Sequence, residues 1–183
     1  MERVETTLPK LLLEKARRYG DRVAMREKYK GIWQEISWTT YRDRVEAFCL
    51  GLADLGMQRG DQASILGENC PEWIFADVAI QSLGGVSVGI YPTNSPDQVR
   101  YILDHSESRF VIVKDQEQAD KVLSVKETLP RLAKIVVIDM KGLRNYEEPL
   151  IVSYRDVESA GREAARREPE RFSRMVEETR PED

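Results

Sequence analysis

Few side chains in this sequence have the type and spacing to do chemistry. A general acid–base pair needs two ionisable groups whose surroundings push their proton affinities apart. The carboxylates that draw attention, Glu68, Glu72 and Asp77, fall near helix ends or on an exposed helix edge. Capping and solvation account for them there. The two cysteines are Cys49, on the apolar face of a predicted helix, and Cys70, just before a helix start. Both read as small buried hydrophobes rather than nucleophiles. The single histidine, His105, follows Asp104 near a helix C-terminus, where partial positive charge is favoured. No ligand spacing for zinc occurs. A Walker loop and a Gly-x-Gly-x-x-Gly turn are both absent. The glycine pair Gly84-Gly85 lies between a helix and a strand, so it reads as close helix-to-strand packing. No catalytic or metal-ligating residue is assigned on these grounds.

The elements around these residues are better marked. Thr7 to Tyr19 reads as a helix with Leu8, Leu12, Ala16 and Tyr19 on one face and Gly20 as its stop. Arg22–Tyr29 and Ile32–Trp38 read as a β-hairpin turning at Lys30-Gly31, a pair that tolerates left-handed backbone. Thr40 and Asp43 suggest a capping box for the next helix. Its apolar stripe is Tyr41, Val45, Phe48, Leu52 and Leu55, and Gly56 is its stop. Strand Gln62–Leu66 follows, then a helix from Pro71 to Leu83. Pro71 suits the first helical position, where a missing N–H costs nothing. This helix is apolar nearly all round, which predicts burial between layers, with Trp73 enclosed.

Val86–Ile90 is the next strand. Ser95, Pro96 and Gln98 open a further helix that turns Val99, Ile102 and Leu103 inward. Strand Arg109–Val113, a charged helix from Gln116 to Leu129 and strand Lys134–Ile138 complete the alternation. Asp139–Pro149 reads as a loop. Ser153–Met175 reads as a charged helical stretch broken at Pro169. Strands alternating with helices of this length predict an α/β fold, with a mainly parallel sheet, helices on both faces and a small N-terminal hairpin.

Composition bounds the function classes. A length of 183 residues predicts one domain or a large subdomain, over residues 1–183, with room for a sizeable core. The apolar share is 41% and the charged share 33%, which suits well-solvated helix faces. A net charge of −4 gives no electrostatic case for nucleic acid. No run approaches the roughly 18 apolar residues of a membrane span, and no apolar signal segment follows Met1, so a cytoplasmic location is expected.

Motif order carries the reading further. Trp38-Thr39-Thr40-Tyr41 matches a Tyr-centred helix start, and Ser82-Leu83-Gly84-Gly85-Val86-Ser87-Val88-Gly89-Ile90-Tyr91-Pro92 matches a small-residue turn leading to a strand and a proline. Gly60-Asp61 and Asn69-Cys70-Pro71-Glu72-Trp73 stand between them. This set, in this order, resembles the opening of the acyl-adenylate-forming, or AMP-binding, synthetases. The hairpin wording and the Glu- and Arg-rich tail resemble the long-chain fatty acyl-CoA ligases in particular.

The resemblance implies the N-terminal subdomain of an adenylate-forming enzyme, ending before the phosphate loop. It implies ATP, Mg²⁺ and CoA as cofactors of the full-length enzyme, with none held by this chain, and fatty acid, ATP and CoA as its partners. It is compatible with a homodimer and with peripheral membrane association of the parent. The family's catalytic groups come from later segments, so none is carried over and the chain alone is expected to be inactive. The turn Tyr91, Pro92 and Thr93, with Lys114 and Lys121 nearby, is placed beside the CoA nucleotide. Two alternatives stay open: another adenylate-forming enzyme (an aryl- or short-chain acyl-CoA ligase, or a peptide-synthetase adenylation domain), and a self-standing α/β interaction module.

Overall fold

The computed structural model describes residues 6–183. Helix α1 spans Leu8–Tyr19, capped where the Thr7 hydroxyl accepts from the Lys10 N–H. Pro9 and Leu12 face the core, whereas Leu8 is exposed, a correction to the expected face. Pro9 occupies the inward place one position on. Strands β1 (Val23–Tyr29) and β2 (Ile32–Ser37) pair antiparallel as a separate two-stranded sheet. Lys30 (φ 48°) and Gly31 (φ 82°) make the turn, as their sequence suggests.

Helix α2 (Trp38–Asp54) starts three residues earlier than a Thr40–Asp43 cap would place it. Ser37, in extended backbone at the end of β2, accepts from the Thr40 N–H at 3.1 Å. Thr40 and Asp43 are therefore already inside the helix and cannot serve as its cap. Val45 and every residue from Ala47 to Leu52 is buried, a wider surface than one stripe. The cause is a second helical layer: α6 (Tyr154–Arg167) lies along the outer side of α2.

That contact is unusually close. A Cβ on Gly161 would lie 1.7 Å from the Ala47 carbonyl oxygen, and one on Gly51 would lie 2.1 Å from that of Val157. Only hydrogen fits at either point, so the two backbones nearly touch. The Tyr154 ring stacks on Phe48 with centroids 4.1 Å apart. Helix α7 (Arg171–Glu177) follows α6 after the expected break around Pro169.

Strands β3 (Gln62–Leu66), β4 (Val86–Ile90), β5 (Phe110–Val113), β6 (Lys134–Val137) and β7 (Ile151–Ser153) form one parallel sheet in the order β4-β3-β5-β6-β7. β7 was not foreseen, because three residues are too few to display an alternation. Helix α3 (Pro71–Ser82) joins β3 to β4, while α4 (Pro96–His105) and α5 (Gln116–Leu123) form the crossovers to β5 and β6. The helix expected over Gln116–Leu129 stops at Leu123, and a single 3₁₀ turn at Lys126–Thr128 follows.

Alternate residues of the sheet feed two cores. Phe110, Ile112 and Val136 pack with α1, α2, α3, α6 and α7, while Val111, Val113, Ile135 and Val137 pack with α4 and α5. This is the period-two signature of a strand covered on both faces. Helix α3 is less enclosed than its composition suggests: Ile74 is exposed and Trp73 only half-buried. Among the described residues no strand pairs with the outer edge of β4, so this flank of α3 meets solvent. Gly84 and Gly85 serve packing, as read from sequence. A Cβ on Gly85 would lie 2.6 Å from the Met57 methyl carbon.

Candidate functional site at the carboxyl edge of the sheet

The chain leaves β3 for β4 on one side, then returns across β3 to β5 on the other. Parallel sheets bind ligands outside the carboxyl ends of their strands where the order reverses in this way, because the loops diverge and leave a crevice. Three segments meet there: Gly67–Cys70 after β3, Tyr91–Asn94 after β4, and Lys114-Asp115 after β5.

The crevice is built tightly at its floor. The Lys114 N–H donates to the Leu66 carbonyl at 3.1 Å, and a Cβ on Gly67 would lie 2.8 Å from the Lys114 Cβ. Beside β4, Gly67, Asn69, Trp73, Gly89, Ile90 and Tyr91 line an open cleft of about 240 Å³. A Cβ on Gly89 would stand 3.6 Å from the Trp73 indole, an ordinary van der Waals distance. Tyr91 is 77% exposed at the rim.

The expected site residues divide. Tyr91, Pro92 and Thr93 form one turn, closed by the Asn94 N–H donating to the Tyr91 carbonyl at 3.1 Å. Lys121, on α5, reaches this turn: its ammonium donates to the Pro92 carbonyl at 2.6 Å and to Gln118 Oε1 at 3.1 Å, and pairs with Glu117 Oε1 at 3.2 Å. An ammonium has three N–H donors. Lys121 directs all of them at protein, so in this geometry it is a strut under the turn rather than a free cation.

Lys114 stands with a different group. Burial lowers its proton affinity, but Cys70, Glu72 and Glu27 outweigh that, and the net effect raises it. Burial in turn pushes the Cys70 thiol up, against the opposing pull of the Trp73 N–H and Lys114. A thiol held protonated in this way is a poor nucleophile. Cys49, wholly enclosed, is pushed up by burial to about 12. Both cysteines are buried, as the sequence suggests.

Three of the carboxylates already have partners. Asp77 accepts from Gln81 at 3.0 Å and from the Ser87 hydroxyl. Glu72 lies 3.5 Å from Arg44, whose guanidinium also bonds Glu158. Asp115 caps α5 by accepting from the Gln118 N–H at 3.2 Å. Glu68 is exposed. No group of three or more His, Cys, Asp or Glu side chains that could hold a metal occurs among the described residues. His105 ends α4 with its ring stacked on Tyr101 and takes no part in the site.

Sequence reasoning missed the ionic knot of Arg44, Glu72 and Glu158, which ties α2, α3 and α6 together beneath this edge. Its members are far apart in the chain and obey no local spacing. Arg162, one turn beyond Glu158, was the only readable signal, at 3.2 Å.

What the edge offers is a shaped, half-apolar wall with a propped turn, with Glu68 exposed at its rim. A family match decides what kind of wall it is: the family described as AMP-binding enzyme matches residues 12–181.

The chain belongs to the AMP-binding enzymes.

Similar members of that family are long-chain ligases by name. The long-chain-fatty-acid–CoA ligase ACSBG2 of Xenopus laevis is 35% identical over 71% of this chain and 18% of its own length. The long-chain-fatty-acid–CoA ligase heimdall of Drosophila melanogaster is 34% identical over 71% of this chain and 20% of its own. The chain thus spans about a fifth of the length of these relatives. Among solved structures, an anthranilate CoA ligase in complex with anthranoyl-AMP superposes with a TM-score of 0.74 at 22% identity, covering 86% of this chain and 29% of that one. The putative long-chain-fatty-acid CoA ligase from Rhodopseudomonas palustris superposes with a TM-score of 0.71 at 22% identity, covering 84% of this chain and 36% of that one. These two likenesses concern the fold. In an AMP-binding enzyme the parallel sheet and its covering helices are the expected frame.

Proposed function

We propose that this chain is the N-terminal part of a long-chain fatty acid–CoA ligase, forming one wall of the enzyme and supplying none of its reacting groups. The observation that carries this reading is about 35% identity to long-chain-fatty-acid–CoA ligases over 71% of the chain. The proposed overall reaction has two steps. The fatty carboxylate attacks ATP to give acyl-adenylate and diphosphate, and the CoA thiol then displaces AMP. Both steps need donors aimed at developing charge on phosphorus or on the acyl carbon.

The residues here fit a supporting part. Tyr91, Pro92 and Thr93 form the lip past which CoA enters, and Lys121 holds that lip in place through the Pro92 carbonyl. Asp77, Asp115 and Glu72 near the edge are engaged in hydrogen bonds, a helix cap and an ion pair, so none of these three stands free to take a proton. Residues 1–183 are one structural unit of the parent, located in the cytoplasm, and are inactive when isolated.

Substrate choice tests the reading. Apolar pockets discriminate by about 1 kcal/mol per methylene. The full-length parent, assayed across acetate, octanoate, palmitate and benzoate, should favour palmitate by orders of magnitude in kcat/KM. A preference for benzoate would leave the family membership standing and remove the fatty acid.

A further inference from the structure

Three helices meet at a second cleft, which shares no residue with the one at the carboxyl edge. Leu13, Ala16 and Arg17 of α1, Thr39 and Arg42 of α2, and Ser173 of α7 line about 300 Å³. Its walls are pinned to one another. The Thr39 N–H donates to the Gly20 carbonyl at 3.0 Å, and Trp38 packs on Tyr19 with ring centroids 5.9 Å apart. Toward the start of α1, the Lys10 ammonium donates at 2.6 Å to the carbonyl of Thr179, just beyond α7.

The lining carries two guanidinium groups, two hydroxyls and no carboxylate. Arg17 is exposed and makes no ion pair among the described residues. Arg42 pairs at one end with Asp43 at 2.5 Å, yet its Nε is sealed from water and has no acceptor among the described residues. A buried N–H on a cation is costly until an acceptor meets it, and the strongest acceptors are anions. The other carboxylates close in sequence do not fill that place. Glu14 pairs with Lys15 at 2.9 Å, and Glu46, Glu170 and Glu177, each within about one turn of Arg42 or Ser173, stand outside the lining.

We propose that this cleft binds a small phosphate monoester, its phosphate between Arg17 and Arg42 and its organic part on Leu13 and Ala16. Guanidinium forks match phosphate oxygens with paired N–H donors. The Thr39 and Ser173 hydroxyls donate to the remaining oxygens, since a hydroxyl rotates to suit its partner. A carboxylate offers only two oxygens, in one plane, to donors that arrive from three helices. The site stands whether or not the ligase reading holds, because it uses none of the carboxyl-edge residues.

Calorimetric titration of the 183-residue chain with phenyl phosphate tests this, at constant ionic strength so that screening stays fixed. Phenyl phosphate should bind, and phenol, the same ring without the phosphate, should not. R17Q and R42Q should each weaken binding about tenfold or more, the loss expected for a charge-assisted contact. T39V/S173A should weaken it about fivefold. Because Arg17 is exposed, R17Q keeps the result readable even where R42Q disturbs α2, and far-ultraviolet circular dichroism checks the fold of each variant. Failure of phenyl phosphate to bind below about 10 mM overturns the proposal. So does binding no tighter than that of phenol, or binding to R17Q as tight as to the wild type.

Discussion

The contact between α2 and α6 and the carboxyl edge of the sheet are built in opposite ways. At the helix contact two glycines let backbones meet, and Val45 and Ala47–Leu52 of α2 are enclosed. At the edge, Glu68, Asn69, Tyr91 and Thr93 are exposed and the cleft beside them opens to solvent. The difference teaches where this sequence is constrained by packing and where it is free to meet a ligand. Close-packed interiors tolerate almost no change of volume, whereas exposed rims tolerate most substitutions.

Gly161→Leu attacks the tight region most directly. The added side chain has no path that avoids the Ala47 carbonyl, so α6 must move off α2. We expect a loss of more than about 4 kcal/mol in urea unfolding, enough to leave much of the chain unfolded. A loss near 1 kcal/mol would mean that the two helices are not locked together.

Alkaline unfolding comes next. Burial raises Cys49 from 9.0 to about 12, and burial with the Asp77 charge raises Tyr41 from 10.0 to about 12. Burial likewise holds Tyr154 well above its usual value. A folded-state pKa above the unfolded one gives a contribution that is complete below the unfolded value and lost as pH rises. Stability should therefore fall from about pH 9 upward, by about 1.4 kcal/mol per pH unit for each group titrating. Cys49→Ala should make the fall shallower just above pH 9, where Cys70, also pushed up by burial, still contributes. A flat profile from pH 8 to 11 would contradict the burial of these groups.

Glu158→Ala probes the ionic knot. Glu158 is 4% exposed and bonds both Arg44 and Arg162. Removing it strands Arg44, which retains Glu72 at 3.5 Å and partial access to water. The expected cost is about 2–3 kcal/mol, below that of a fully enclosed pair. A double-mutant cycle with Arg44→Ala should recover part of that loss.

Trp73→Ala lies between the two regions. Because the indole is only half-buried against Gly89, the expected loss is about 1–2 kcal/mol rather than the 3–5 of a core tryptophan. A larger value would place the cleft inside the core.

The frame of the fold was legible in the sequence because its signals are local. Pro71 opens α3, and Ser95 with Gln98 forms a capping box for α4. Gly56 turns the chain after α2 with φ 95°, and the strands carry their apolar runs. What was not legible depends on contacts distant in the chain. The width of the buried surface on α2 follows from α6, more than a hundred residues later. The exposure of Trp73 and Ile74 follows from β4 being an outer strand, a fact of sheet order that α3 does not encode. At the candidate site, the turn Tyr91–Thr93 was visible as a turn. The inward reach of Lys121 to Pro92 was not, because a surface lysine and a strut have the same sequence.

Release of diphosphate by the isolated 183-residue chain, mixed with ATP, Mg²⁺, palmitate and CoA, tests most directly whether the carboxyl edge is a wall without chemistry. The account predicts no release above a protein-free blank, with the full-length parent active in the same mixture. Release by the isolated chain that depends on palmitate would contradict it.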